Sequence, residues 1–452
     1  MGKARTNSID MLDGPLAGKL VRFAMPIAIA SILQQLFNSA DSAVAGLFVG
    51  SEALAAIGGT VPVALLLISL FTGLSIGTNV LVAMRIGQGQ PQRIGSAVHT
   101  SIFVALASGV LLLVIGIVFV KPILSLISMP EDAFAPAVTY LGIYFAGMPF
   151  AMLYNFASAV LRSKGDVMRP LYALIAGVLI NCGLDIAFVT VVPLGVAGIA
   201  LATVIANAVG AVIVIRFLMK EEEPYRLSWK LVRPTRSDLA VILKIGLPAG
   251  IQGVVFSLSN VVIQSAVNSF GAASTAGVAA ALNYEFYTYF FMSAFAQAAV
   301  TFIGQNYAAG KLDRCNRVFG LCMAFAAACA LILNAAWLAL GPTALHVFTT
   351  DQAAIDYGLI RLWSGTAFQF IAVVFEVSAG AMRGMGWSMT PAVITVAGSC
   401  ALRIAWVLTI FQWNPDFQTL VAVYPVSWMV TSVAMLIAFF LVRKRAYARL
   451  TA

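Results

Sequence analysis

Four acidic residues, Asp41, Asp185, Glu285 and Glu376, fall inside long apolar stretches of this 452-residue chain. An ionisable group at membrane depth costs several kcal/mol, so each needs a partner or a task. Ser31, Gln34, Asn38 and Asp41 follow one another at steps of 3, 4 and 3 residues, which keeps them on one helical face. Asn181 and Asp185, four apart, share a face of a later helix, and Thr203 lies in the helix after it. Counted from the outer ends of their apolar stretches, Asp41 is 5 residues in, Asp185 is 7 and Thr203 is 8. At ~1.5 Å per residue the three share one helical turn of depth, with Asn181 one turn deeper. Two carboxylates, an amide and a hydroxyl make a hard-oxygen cluster. Such a cluster suits a small cation such as Na⁺, or protons kept on carboxyls that burial and mutual repulsion make hard to ionise. The plainer reading is that each acid is merely hydrated where a helix end bends toward water.

Glu285 and Arg403 stand 10 and 9 residues from the outer ends of their stretches. That match in depth leads us to expect a salt bridge between them, with a substrate or proton role for Glu285 as the alternative. Glu376 reads as a hydrated carboxylate near the inner end of its stretch. Tyr284 and Tyr287 flank Glu285 in a run of six aromatics within residues 284–291. Aromatic faces beside a carboxylate can hold a flat lipophilic cation, although a run covering every helix face must also pack toward lipid. The string Gly87 to Gly89 is no phosphate loop, because no strand precedes it and no GK[ST] follows. Without a nucleotide site, any pumping would have to draw on an ion gradient. His99 and His346 are the only histidines, far apart, and neither a nucleophile triad nor a metal motif is visible, so no catalytic residue is assigned.

The elements that must position these groups are membrane helices. Hydrophobic residues make up 61% and charged residues 10%, against roughly 45–50% and 25% in a soluble protein. That excludes both a soluble fold and a disordered chain. About 20 apolar residues cross a bilayer core as a helix. Twelve stretches qualify: 20–46, 53–82, 96–119, 136–161, 170–192, 195–219, 239–268, 275–306, 318–340, 356–381, 391–412 and 419–442. We therefore expect an all-α membrane protein of twelve transmembrane helices, with residues 1–219 as a first lobe, 220–238 as a solvated linker and 239–452 as a second lobe. With both termini in the cytoplasm, 23 of the 27 Lys and Arg face that side, including Lys3 and Arg5. Only Lys121 faces outward, and Arg216, Arg361 and Arg403 lie within spans. The bias orients the chain. The net charge of +9 is spread between apolar segments, which argues against nucleic acid as a partner. The polar start has no cleavable apolar core, so no signal peptide is expected. The five cysteines form no CxxC pair and read as free thiols.

The halves repeat at an offset near 220. Arg162 to Pro170 (RSKGDVMRP) and Arg383 to Pro391 (RGMGWSMTP) share the pattern R-x-x-G-x-x-x-x-P. Pro26 pairs with Pro248, and the dipeptide Gly87-Gln88 is matched to Gly304-Gln305 as the end of a second span in each half. Six helices per half make the repeats parallel, a design common among transporters that rock one half against the other.

With these residues in view, the chain resembles the multidrug and toxic compound extrusion (MATE) family. The likeness is carried by Ile9 to Leu16 (IDMLDGPL), Ala24 to Ile27 (AMPI), Ser31 to Asp41 (SILQQLFNSAD), Gly50 to Ala56 (GSEALAA) and Phe302 to Lys311 (FIGQNYAAGK). It covers nearly the whole chain. It implies two pseudo-symmetric six-helix lobes in a V, working as a monomer in the bacterial inner membrane. It also implies export of small organic, amphipathic cations in exchange for Na⁺ or H⁺, with no other cofactor. It assigns the cation site to Asp41, Asn181, Asp185 and Thr203, and a bending role to Pro26. For substrate contact we expect Gln34, Asn38, Tyr284, Glu285 and Tyr287. One departure is that the seventh span holds Gln252 and Gln264 where some branches carry an acid, so the first lobe is the expected coupling site. The rival readings are a lipid-linked precursor flippase, which needs several cavity arginines, and a membrane-embedded enzyme, which needs a catalytic constellation.

Overall fold

The computed structural model describes residues 8–127 and 129–451; Lys3 and Arg5 lie outside them. Helices run almost from end to end, and no strand occurs among the described residues. The first half forms α1 (Ala17–Val44), α2 (Ser51–Gly87), α3 (Pro91–Leu126), α4 (Glu131–Ala146), α5 (Met148–Lys164), α6 (Met168–Thr190) and α7 (Val196–Met219). The second forms α8 (Arg236–Asn268), α9 (Ala272–Ala308), α10 (Leu312–His346), α11 (Gln352–Ser364), α12 (Ala372–Gly384), α13 (Met389–Thr395), α14 (Leu402–Leu408), α15 (Ile410–Trp413), α16 (Phe417–Val421) and α17 (Val423–Thr451). Helices satisfy every backbone group within the segment, which hydrocarbon demands. Among the described residues eleven helical runs are long and apolar enough to cross a membrane, some of them joining consecutive helices such as α11 and α12, and the α4–α5 pair, bent by 44°, makes the twelfth. The bend falls at Gly147, where Pro149 in the first turn of α5 brings no backbone donor. Ten of the twelve predicted stretches lie within these spans, and 170–192 and 195–219 overrun theirs by two residues and one residue. Large apolar side chains such as Leu179, Ile332 and Ile437 are exposed, as a lipid-facing surface requires.

The repeat is written in backbone conformation. Glycines with positive φ recur 221 residues apart at Gly50 and Gly271, Gly89 and Gly310, and Gly165 and Gly386. Gly165 is the left-handed cap ending α5, which explains why the R-x-x-G motif needs glycine there: a Cβ would be strained and would also strike the backbone of Ile9. The dipeptide match of Gly87-Gln88 with Gly304-Gln305 needs correcting. Gln305 is still inside α9, and the turn equivalent to Gly89 is Gly310. Sequence likeness had competed with backbone geometry, and the geometry identifies the equivalent residue.

The chain divides into two compact units, one of Ile29–Gly250 with the segment ending at Asp10, the other of Met11–Ala28 with Ile251–Ala452. These limits differ from a division at the 220–238 linker. Helix α1 passes from one unit to the other two residues after Pro26, and α8 does so two residues after Pro248.

Within the first unit, α2 and the first half of α8 approach through two small-residue pairs. A Cβ on Gly246 would lie 2.9 Å from the Gly73 carbonyl, and one on Gly77 would lie 3.1 Å from the Gly246 nitrogen. Gly73 and Gly250 are in similar contact, so both helices carry a G-x-x-x-G face. Gly246→Leu should lower stability by about 1–3 kcal/mol through overpacking. Thermal unfolding in detergent checks this, and an unchanged midpoint would deny the close approach.

The 220–238 segment, expected as a plain solvated linker, is held by side chains of the first unit. Glu221 pairs with both Lys164 and Arg169. Asp238 takes Arg85 at 2.6 Å and the Ser96 hydroxyl at 2.7 Å. His99 Nε2 accepts the Ser228 N–H at 3.1 Å, and the Thr100 hydroxyl accepts the Thr235 N–H at 3.1 Å. Backbone donors in a half-buried segment need acceptors, and His99 and Thr100 of α3 supply them. Burial by itself would push the Glu221 carboxyl up, but Lys164 and Arg169 outweigh it and hold it below its ordinary value of 4.5. A depressed carboxyl lends stability above its unfolded value, lost as pH falls through the lower folded one. Hydrogen exchange across residues 220–231 should therefore quicken below pH 4.5. Glu221→Gln should exchange fast at neutral pH already; identical profiles would remove the bridge from the account.

Candidate functional site

Asp41 sits near the end of α1, one turn before a π-helical turn at Ala45–Val49. Such turns often mark functional positions, because they insert one residue and re-aim the side chains around it. Asn181 and Asp185 project from α6, and Thr203 from α7. These two helices pack closely because small residues meet: a Cβ on Gly177 would stand 3.2 Å from the Ala206 carbonyl. Close packing turns Asn181, Asp185 and Thr203 inward, and all four groups are buried, Asp41 at 4% and Asp185 at 0% exposure.

The four side chains form one hydrogen-bonded network. Thr203 donates its hydroxyl to Asp41 Oδ2 at 3.1 Å. With the Asn181 amide nitrogen turned toward the acids, it donates to Asp41 Oδ1 at 3.1 Å and to Asp185 Oδ2 at 3.0 Å. Asp185 Oδ1 is buried without a hydrogen-bond partner. Three donated hydrogen bonds cannot offset two negative charges held together in a dry site. A proton shared by the pair, or a small monovalent cation, would remove the conflict. For a cation the Asn181 amide would swing round to offer its oxygen, completing an all-oxygen set with both carboxylates and Thr203. Those donor types fit Na⁺. Among the described residues no group of three or more His, Cys, Asp or Glu gathers as a metal site.

Tyr140 and Tyr144 of α4 were not singled out from the sequence. Their rings stack at 5.8 Å. The spacing of four residues on one face was the available signal. Gln34 and Asn38 lie exposed on α1, on the turns before Asp41. Pro26 is buried within α1, which continues through it, leaving one i→i−4 hydrogen bond unmade.

In the second unit the structure changes the expected pairing. Glu285 does not bridge Arg403; its Oε2 accepts from Arg361 Nη2 at 2.7 Å. Arg403 instead donates Nε to the Ser427 hydroxyl at 3.0 Å. Matched depth cannot tell which way a side chain faces around its helix, and α11, which carries Arg361, packs closely on α9: a Cβ on Gly277 would lie 2.7 Å from the Gly358 nitrogen. Gln369 then donates to the Glu285 carbonyl at 2.9 Å. Tyr284 is tied into the core: its hydroxyl donates to the Ala344 carbonyl at 2.7 Å and its ring packs 4.7 Å from Trp337. Tyr287 is half-buried, 6.5 Å from the same indole. Glu376, in α12, stands 3.5 Å from the Tyr289 hydroxyl.

Twelve apolar spans in duplicated halves, one holding a buried pair of carboxylates, define a multi-pass membrane transporter. The MatE family model matches the chain twice, over residues 26–187 and 248–408. The chain belongs to that family, the MATE transporters. It is similar to the probable multidrug resistance protein YoeA of Bacillus subtilis, at 27% identity over 83% of this chain and 82% of that one. It is also similar to the multidrug export protein MepA of Staphylococcus aureus, at 22% identity over 76% of each chain. Among solved structures, an outward-facing multidrug resistance MATE family transporter superposes with a TM-score of 0.91 at 20% identity, covering 98% of this chain and 99% of that one. A MOP superfamily transporter from Pyrococcus furiosus gives 0.89 at 22% identity, covering 99% of each.

Proposed function

We propose that this protein is a multidrug efflux transporter that exports small amphipathic, cationic compounds in exchange for Na⁺ or H⁺. The observation that carries the reading is the Asp41–Asn181–Asp185–Thr203 network: two buried carboxylates linked by one amide and one hydroxyl. In the cycle we infer, a cation or proton entering from outside quiets the pair. Helices α1, α6 and α7 can then repack without stranding negative charge, and the grip on a cationic substrate weakens. Pro26 supplies the weak point at which α1 bends. Substrate arriving from the cytoplasm, where we place both termini, drives the return. Gln34 and Asn38, exposed on α1 in the two turns before Asp41, are polar side chains that a substrate could meet.

The names of YoeA and MepA support drug export. A flippase for a pyrophosphate-linked lipid is not favoured, because its headgroup needs several arginines open to a cavity, and Arg361 and Arg403 are each only 1% exposed. The test is purified protein in proteoliposomes loaded with a fluorescent organic cation. Movement under an imposed Na⁺ gradient, a proton gradient, or either is the expected result; no movement under both would overturn the proposal.

A further inference from the structure

Position by position, the two repeats carry opposite charge at their buried polar centres. Before the π-turn of α1 the repeat offset is 222, from Pro26 to Pro248, and after it 221, from Gly50 to Gly271. A second π-turn at Val396–Ala401 adds one residue to the later half and restores the offset. On this register Asp41 matches Ile263, Tyr140 matches Arg361, Asn181 matches Arg403 and Asp185 matches Val407. Two carboxylates have become aliphatic chains, while a phenol and an amide have become guanidinium groups.

The second centre is as closed as the first, with Arg361 and Arg403 each 1% exposed and Glu285 6%. Tyr424 lies between the arginines, its ring centroid 3.5 Å from Arg361 Cζ and 4.8 Å from Arg403 Cζ. Cation–π contact uses the flat face of a guanidinium and leaves the N–H groups at its edge free to donate. On Arg361 two of these edge nitrogens, Nε and Nη1, are buried with no hydrogen-bond acceptor. The hydroxyl of Thr366 is buried without a partner as well. A Cβ on the neighbouring Gly365 would stand 2.5 Å from Glu285 Oε1 and 3.1 Å from Arg361 Cζ, so the glycine gives the ion pair the room it occupies. One carboxylate against two guanidiniums leaves one positive charge in excess. Water could satisfy the idle N–H groups but not that charge.

We propose that the cluster of Arg361, Arg403, Thr366 and Tyr424 binds one small monovalent anion of the halide class. The anion takes the Arg361 edge left idle by Glu285 and neutralises the excess charge. This site stands apart from any coupling role of Asp41 and Asp185.

The test uses the full chain in detergent, with chloride replacing a bulky organic sulfonate at constant ionic strength. Chlorine NMR line-broadening and the thermal unfolding midpoint are followed together. A saturable chloride effect is expected in both. Arg403→Gln should weaken the apparent affinity about tenfold or more, and Glu285→Gln should strengthen it, because the first removes positive charge and the second removes negative charge. Bromide located by its anomalous scattering should lie beside Arg361, a readout that needs no variant to fold. A chloride response that does not saturate, equal responses in wild type and Arg403→Gln, or bromide bound only elsewhere would overturn the proposal and leave water as the occupant.

Discussion

Asp41→Asn is expected to abolish ion-driven export while leaving the protein folded. The amide can still accept from Thr203 and meet Asn181, so the network of 3.1 Å and 3.0 Å contacts keeps its shape. What disappears is the conflict between two charges. The Asn variant behaves as though a proton were permanently in place, and no gradient can then switch it. Relieving a buried charge is neutral or stabilising in general, so the unfolding midpoint should stay level or rise. Thr203→Val, by contrast, removes one donor and should cost ~1 kcal/mol, with export reduced rather than lost. The proteoliposome assay reads both. Full export by Asp41→Asn would end the assignment of the coupling site.

The largest stability effect is expected in the second unit. Glu285→Ala leaves Arg361 buried beside Arg403 with no carboxylate. Breaking one side of a buried ion pair costs about 3–5 kcal/mol. Arg361→Met should do comparable harm by stranding Glu285. The double change Glu285→Met with Arg361→Met should recover most of the loss, since apolar replacement of a whole buried pair is often neutral or better. The measurement is a double-mutant cycle on unfolding in detergent, run without chloride so that a bound anion cannot mask the loss. Single variants within about 0.5 kcal/mol of wild type would show that the pair carries little of the fold.

Much of the first centre was legible because its residues obey simple counting. Asn181 and Asp185 are four apart on one helix, and depth from the span end placed Asp41 and Thr203 beside them. Counting measures height along the membrane and nothing else. For Glu285 that was insufficient: Arg403 stands at matching height, yet Arg361 is the partner because its helix packs directly on that of Glu285. The linker contacts were hidden for a related reason. His99 and Thr100 receive backbone N–H groups from Ser228 and Thr235, and no pattern of side chains announces such a bond. The G-x-x-x-G faces of α2 and α8 could have been noticed, but which pairs of helices they join could not.

The number of spans, their helical nature, the duplication and the presence of buried acid followed from sequence alone. Hydrocarbon admits only long apolar segments whose backbones satisfy themselves, and each exception to apolarity stands out against that background. Which buried charges meet, where the repeats truly align and how the linker is held were decided by tertiary structure. Those depend on the direction each side chain takes around its helix and on bends and π-turns that shift it by one residue.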